Sequence, residues 1–296
     1  EVCVIGGGYA GLNTALGLCE RGKKDVLLLE KESIGTGASG RNGGFVFGGY
    51  CLGERDLVKS VGREKARELY KLTLDAVDLI RSRVGKYKID CDMVAGGVLL
   101  TNWFDDPSVL TDTRKFMQEE MGVNWEPVSN EELQKLVRSK RYFGALFERS
   151  AFHFHPLKYA QGIALTASRL GARIHTHSPA VRIETLSGAS RTSDARYAIT
   201  TANGARVRAK EVVVCCGGYI EKLYPELGRA VLPIATYVMA TEPLGTRAQE
   251  AIRTPAAIYD TRFAFDYYRL LNDTRLLWGG RIHILDRKPQ DVARLL

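Results

Sequence analysis

The chain has 296 residues, 45% hydrophobic and 26% charged, with a net charge of +8; this profile fits a globular protein with room for two packed domains and excludes a disordered chain. The uncharged runs 42–53 and 230–241 are twelve residues long, and the longer run 2–19 is broken by Gly6-Gly7-Gly8 and carries Asn13 and Thr14, so none supplies the roughly 18 predominantly apolar residues needed to cross a bilayer. The positive charge is spread along the chain, without a nucleic-acid module signature, and reads as a solvated face.

The first 33 residues read as strand, tight glycine turn, helix, turn and strand: Val2 to Ile5, then Ala10 to Glu20 with apolar Ala10, Leu12, Ala15, Leu16 and Leu18, then Val26 to Leu29. That is one βαβ unit. Residues 35–50, GTGASGRNGGFVFGGY, follow with seven glycines. Residues 54–84 predict one long amphipathic helix, with Val58, Val61, Leu69, Leu72, Ala76, Ile80 and Val84 recurring every three or four positions. From 87 to 150 the pattern changes to short strand-like pieces, a helix around Pro107–Met121 and another near Asn130–Val137, which reads as an inserted module. Helix-then-strand order returns at residue 151, with Pro156 at a first helical position and Ala160, Ala164 and Ala167 on a face able to lie close to a sheet. Residues 196–216 predict a hairpin around Asn203-Gly204, then an apolar strand Val212–Cys216 of the kind buried in a parallel sheet, ended by Gly217 and Gly218. The chain is β-rich again after Tyr219. The resulting fold class is α/β, a Rossmann-like dinucleotide domain with a second, β-rich α+β domain inserted.

Six cysteines lack any Cys-x-x-Cys pair. Cys3 and Cys215 sit in apolar strand-like runs, and the neighbouring Cys215 and Cys216 read as packing residues rather than a strained vicinal disulfide, so a reducing, cytoplasmic compartment is expected. Strand VCVI follows Glu1 at once without an initiator Met, and DRKPQDVARLL reads as a helix just beginning, so the chain is expected to be a fragment.

Gly6-x-Gly8-x-x-Gly11 is a weak signal alone. Here a strand precedes it, a helix follows it, and Glu30 stands 19 residues after Gly11 at the end of the next strand. Gly6 permits the sharp turn, Gly8 lets a pyrophosphate approach the backbone, and Gly11 lets helix and strand pack closely. The helix N-terminus offers free N–H groups and partial positive charge, and Glu30 accepts from a ribose diol. A nicotinamide dehydrogenase normally continues into another regular βα unit; this chain instead lays down nearly bare backbone able to wrap a flavin. An NAD-dependent dehydrogenase of the short-chain type is disfavoured further because no Tyr-x-x-x-Lys is present.

In FAFDYYRLL, alternation puts Phe265, Tyr267 and Arg269 on one face of a strand and Asp266 and Tyr268 on the other, and one face is expected to look into a pocket. His153 and His155 invite a metal or base reading, as do His175 and His177, but no third ligand is evident, and no metal is expected.

Together, GGGYAG with Glu30-Lys31, then GASGRNGG, HP opening a helix, VVVCCGGY and YYRLLNDTRLLWGGR resemble the D-amino-acid-oxidase-type flavoprotein oxidoreductases, in particular the gamma-glutamylputrescine oxidase-like branch. The resemblance runs over essentially the whole chain. It implies an FAD site made by Gly6, Gly8, Tyr9, Ala10, Gly11, Glu30 and Lys31, by Ser39, Gly40, Arg41, Asn42, Gly43 and Gly44 from the pyrophosphate to the isoalloxazine ring, by Val181 at the adenine, and by Gly217 and Gly218 beside the adenosine. It places Arg41, Phe265, Tyr267, Tyr268 and Arg269 as candidates for contact with the reacting groups. Because Arg41 and Asn42 occupy the first flavin loop, covalent attachment through a His there is excluded. The implied domains are 1–86 with 151–224 for FAD and 87–150 with 225–296 for substrate, the family's final region being expected beyond residue 296. The implied chemistry is oxidation of the C–N bond of a small-molecule amine or amino acid, with hydride passing to flavin N5, imine hydrolysis, and reoxidation by oxygen or another acceptor. An inactive dinucleotide-binding fragment is the alternative from outside enzymology, and neither nucleic acid nor a membrane span is expected.

Overall fold

A short run of β-favouring apolar residues opens the chain and becomes the centre of its first sheet. In the computed structural model, which describes residues 1–186, 195–284 and 291, the first elements are β1 (Val2–Ile5), α1 (Tyr9–Glu20), β2 (Val26–Leu29) and β3 (Phe45–Val46). Next come α2 (Glu54–Val61), α3 (Arg63–Tyr87), β4 (Val98–Thr101), α4 (Ser108–Phe116), β5 (Glu126–Val128) and α5 (Asn130–Leu136). Then follow β6 (Ala145–Glu148), β7 (Phe152–His153), α6 (Pro156–Arg169), β8 (Arg173–His175) and β9 (Ala180–Thr185). The remainder comprises β10 (Tyr197–Thr201), β11 (Arg206–Ala209), β12 (Glu211–Val214), α7 (Pro225–Ala230), β13 (Ala235–Ala240), α8 (Thr246–Ala251), β14 (Ala257–Asp260), β15 (Tyr267–Leu270) and β16 (Leu276–His283).

Two compact units result. The first is Glu1–Asn42, Ile89–Cys91 and Pro156–Pro233. Its parallel sheet has the order β12-β1-β2-β8, and α1 packs beside α6, burying Leu12, Ala15 and Leu16 from one helix and Ala160, Ile163 and Ala167 from the other. The meander β11-β10-β9 covers the other face, where Cys3, Ile5 and Leu29 meet Ile199 and Ala209. Its hairpin turns at Gly204, φ 84°, with Thr200 opposite Arg206, as Asn203-Gly204 predicts. The expected buried strand Val212–Cys216 is corrected: β12 ends at Val214 and is only half-buried, because among the described residues it has β1 on one side and no strand on the other.

The second unit is Gly43–Lys88, Asp92–His155 and Ile234–Leu296. Its sheet has the order β13-β16-β15-β14-β4-β6-β5, and β14 runs parallel to β4. One face buries Leu99, Ile258 and Tyr268 with Leu133 and Val137. The other presents Leu146 to Tyr70, Leu110 and Met117, and Val98 and Ala257 to Ala151 and Phe45.

The single helix expected over 54–84 is two helices, broken at Gly62 with φ 81°. The break shifts the buried stripe of α3 to Ala66, Tyr70 and Val77, so Val61 and Leu72 face solvent at 41% and 59% exposure. This stripe carries Gly43–Lys88 into the second unit through the core shared with Leu110 and Leu146, whereas the sequence places 43–86 with the dinucleotide domain.

Candidate cofactor and substrate site

In the first unit, β1 runs into Gly6-Gly7-Gly8 and α1 begins at Tyr9. Gly6 has φ 112°, and a Cβ there would sit 2.6 Å from the Cys215 carbonyl oxygen. At Gly11 a Cβ would collide with the Gly6 carbonyl, so helix and turn meet backbone to backbone. Gly8 supplies no side-chain cap for α1. Instead the Ser39 hydroxyl accepts from the Tyr9 N–H at 2.9 Å, tying the second glycine stretch to the helix N-terminus. Glu30 accepts from the Gly7 N–H and, at 2.8 Å, from the Glu32 N–H, which fixes its carboxylate at the end of β2.

The loop from Gly35 is braced from within. Asn42 Nδ2 donates to Ala38 O at 3.0 Å and Ser39 O at 2.9 Å, closing the turn Ala38–Gly40. A Cβ on Gly40 would collide with the Gly35 carbonyl. The Tyr9 hydroxyl donates to Pro156 O at 3.0 Å and its ring stands edge-on to Tyr159; burial pushes its pKa up.

These parts enclose a cavity of about 900 Å³ in the first unit, within the range that holds a cofactor. It brings together Gly6, Gly8, Tyr9, Ala10, Glu30, Lys31, Ser39, Arg41, Val181, Gly217 and Gly218. Gly11, Gly40 and Asn42 stand behind its wall as packing and bracing residues. Lys31 is paired with Glu221 at 2.7 Å, whereas Arg41 is exposed, reaches Gly37 O at only 3.4 Å, and has no ion pair among the described residues. Cavity, glycine turn and positive helix end fit the adenosine diphosphate part of FAD.

In the second unit, Gly43 and Gly44 lead into β3. Gly44 has φ 74°, and a Cβ there would collide with the Phe154 carbonyl; its own carbonyl accepts from the Phe154 N–H at 2.9 Å. Arg269, 4% exposed, donates from Nε to Gly43 O at 2.7 Å and from a terminal nitrogen to Phe154 O at 2.8 Å. Burial lowers its pKa to about 10. Tyr267 packs its ring against Gly43 and Gly279. The sheet face carrying Tyr267 and Arg269 is therefore the one the glycine segment lies on. Tyr268 points the other way and is a core residue: it stacks on Trp278 at 4.5 Å and its hydroxyl donates to that of Tyr142 at 3.2 Å. Phe265 precedes the strand, in the irregular segment between a turn and β15, so the strand is shorter than FAFDYYRLL.

His153 is buried, with Nε2 2.9 Å from Pro255 O; a carbonyl only accepts, so Nε2 carries the proton, and Nδ1 has no partner. Burial, reinforced by Arg269, lowers its pKa to about 4. Among the described residues no three His, Cys, Asp or Glu gather as a metal site, all six cysteines are free thiols, and no helix is long and apolar enough to cross a membrane.

Sequence reasoning missed the Arg269 clamp, the Ser39 cap and a buried Glu148. Arg269 and Gly43 are 226 residues apart, and no local pattern signals such a contact.

The profile of the DAO family, FAD dependent oxidoreductase, matches residues 1–295. The chain is 37% identical to the gamma-glutamylputrescine oxidoreductase of Escherichia coli K12 over 306 aligned positions, covering 100% of this chain and 68% of that protein. It is 34% identical to the probable oxidoreductase OrdL of Haemophilus influenzae, covering 95% of this chain and 64% of that one. The chain thus spans about two thirds of the length of these relatives. Among solved structures, glycine oxidase from Bacillus cereus matches with a TM-score of 0.70 at 19% identity, over 99% of this chain and 77% of that one. An L-amino acid deaminase from Proteus vulgaris matches with 0.68 at 21%, over 100% and 72%. Both share the fold.

Proposed function

Because the chain belongs to the DAO family of FAD-dependent oxidoreductases, we propose that it binds FAD in this cradle and oxidises the C–N bond of an amine or amino acid. The observation that carries the reading is the braced cavity of the first unit, where Ser39, Glu30 and the α1 N-terminus meet. The cofactor, when bound, accepts a hydride from the carbon bearing a neutral amine and passes electrons to oxygen or another acceptor; the imine product hydrolyses in water.

The protein's part is to bind, orient and keep water out. The α1 N-terminus and Arg41 offset the diphosphate charge, Glu30 accepts from the ribose diol, and the Val181 backbone meets the adenine. Asn42 and Ser39 fix the loop that approaches the ribityl chain, and Arg269 fixes Gly43 for the ring. Phe265 and Tyr267 supply an aromatic wall for substrate; Tyr268 acts only through the core beneath them. Gamma-glutamylputrescine oxidoreductase and glycine oxidase, the relatives named above, support an amine or amino-acid substrate. Free thiols suit a reducing compartment, and neither a membrane nor nucleic acid is part of this reading.

The test is a spectrum. Purified protein is expected to be yellow, with absorbance at about 450 nm that one member of an amine and amino-acid panel bleaches anaerobically. A colourless protein that binds NADH overturns the cofactor assignment; a yellow one bleached by nothing in the panel overturns the reaction.

A further inference from the structure

The cavity of the first unit lies between two walls. One is the glycine turn with Glu30, Lys31 and the loop Thr36–Ser39, and the other is the segment Gly217–Leu223. That segment is rooted by apolar side chains: Ile220 is 6% exposed, and Leu223 packs on the core of Cys3, Ile5 and Leu29. Among the described residues its backbone hydrogen bonds are local, from Tyr219 N–H to Cys216 O and from Leu223 N–H to Ile220 O, both 3.1 Å.

Side chains of this segment reach across to the other wall. The Tyr219 ring lies against Gly37, 3.1 Å from where a Gly37 Cβ would stand. The Glu221 carboxylate accepts from Lys31 Nζ at 2.7 Å, joining residues 190 apart in sequence. Both contacts are at the solvent edge of the cavity: Tyr219 is 57% exposed, and the Lys31 and Glu221 side chains are 53% and 61% exposed. Glu221 holds a φ of 49°, a left-handed conformation that is costly for a residue with a Cβ, so backbone strain is kept at the residue that makes the bridge. An exposed ion pair adds little to the stability of a fold, and Ile220 and Leu223 already root the segment. What the two contacts do is close the edge through which the space between the walls reaches solvent.

We propose that Tyr219 and Glu221 form the gate of the cofactor cavity: the Tyr219–Gly37 and Glu221–Lys31 contacts part for FAD to enter or leave and rejoin over its adenosine end, while Ile220 and Leu223 stay fixed as the root. Glu221 acts through Lys31 and is a positioning residue. The occupant rests on the FAD reading above. The gate itself rests on the two contacts.

The experiment follows uptake and release of FAD by the full chain through flavin fluorescence. A gate is broken only on passage, so it sets both rates and leaves affinity nearly unchanged, whereas a wall that merely touches the cofactor sets affinity. E221Q, which keeps the shape, should speed uptake and release alike by about two- to fivefold at low salt, with Kd within about twofold of the wild type. The difference should shrink at about 1 M salt, where charges are screened within about 3 Å. In a K31Q background E221Q should change neither rate, because the bridge is already gone. Y219A should speed both rates by about fivefold, and Y219F, which keeps the ring, should behave as the wild type. Wild-type rates in E221Q or in Y219A, or faster release without faster uptake, overturns the gate. If Y219A fails to fold, E221Q with and without K31Q decides. If the protein loads no FAD, the cofactor reading fails on its own, and hydrogen exchange of the cofactor-free protein decides the gate: amides of residues 217–223 should exchange faster in E221Q than in the wild type, and equal exchange overturns it.

Discussion

Glu148 and His153 titrate in opposite senses over one pH range. Burial raises the Glu148 carboxyl to about 7, with Glu54 nearby adding to the effect, and lowers His153 to about 4. A carboxyl raised in the folded state contributes stability that is full below its ordinary value near 4.5 and is lost as pH rises through about 7. An imidazole lowered in the folded state contributes stability that is full above about 6.5 and is lost as pH falls toward 4. Each shift corresponds to about 3 kcal/mol as an upper figure, so in the wild type the two largely cancel between pH 4.5 and 7. Single variants separate them. E148Q should raise the unfolding midpoint at pH 8 relative to the wild type and forfeit that gain at pH 5. H153Q, which retains a donor for Pro255 O, should be closest to the wild type at pH 8 and gain on it at pH 4.5. Denaturant unfolding at these pH values reads both, and parallel pH profiles for wild type and variants would reject the assignment. Neither group was legible in the sequence, because a Glu in ALFE or a His in AFHFH carries no local mark of burial. The place of Glu30 at the end of β2 was legible, since it depends on a fixed distance from Gly11 within one βαβ unit. Tyr267 and Tyr268 fell between: alternation separated their faces, but only the position of Gly43 and Trp278 says which face is which.

At the scale of elements, the glycine stretch is a braced turn and not a linker. Asn42 holds Ala38 and Ser39, Arg269 holds Gly43, and Gly44 sits where a side chain would strike Phe154. Asn42→Leu should therefore weaken FAD binding through the turn it closes, by about tenfold for two lost hydrogen bonds, with little change in the circular dichroism of the fold. Gly44→Ala should be worse, because it adds a collision to a positive φ. Equal FAD affinity in wild type and N42L, measured by flavin fluorescence, would remove the loop from the cofactor site. Gly62→Ala is the control away from the cofactor: its φ of 81° predicts a loss of about 1 kcal/mol in stability with FAD affinity unchanged. The glycine signature was readable because it is contiguous. The seven-stranded sheet was not, since β4 pairs with β14 from Val98 to Ala257 and alternation within a strand says nothing about its neighbour. The helix break at Gly62 was missed for a different reason: a 3.6-residue period was counted through a glycine that resets its phase.

For the molecule as a whole, the cavity of the first unit, the macrodipole of α1 and a net charge of +8 all favour an anion, but they act over different distances. The helix end acts within its first turn, Arg41 within a few ångströms, and the net charge over a length that salt shortens to about 8 Å at physiological strength. ADP, which carries only the nucleotide half of FAD, isolates these contributions without any flavin chemistry. If the nucleotide occupies this cavity, saturating ADP at a hundredfold over its Kd should add about 2.7 kcal/mol to the stability of the cofactor-free protein. Hydrogen exchange should slow at Gly6–Gly11, Ser39 and Gly217–Gly218 in the same experiment. Arg41→Gln should reduce ADP affinity about tenfold at low salt and by less at high salt, because an exposed guanidinium is screened, whereas adenosine, lacking phosphate, should bind both proteins alike. The comparison separates charge from shape: an R41Q loss that is the same for ADP and adenosine would mean that Arg41 shapes the cavity wall and that the diphosphate is held by the α1 N-terminus alone.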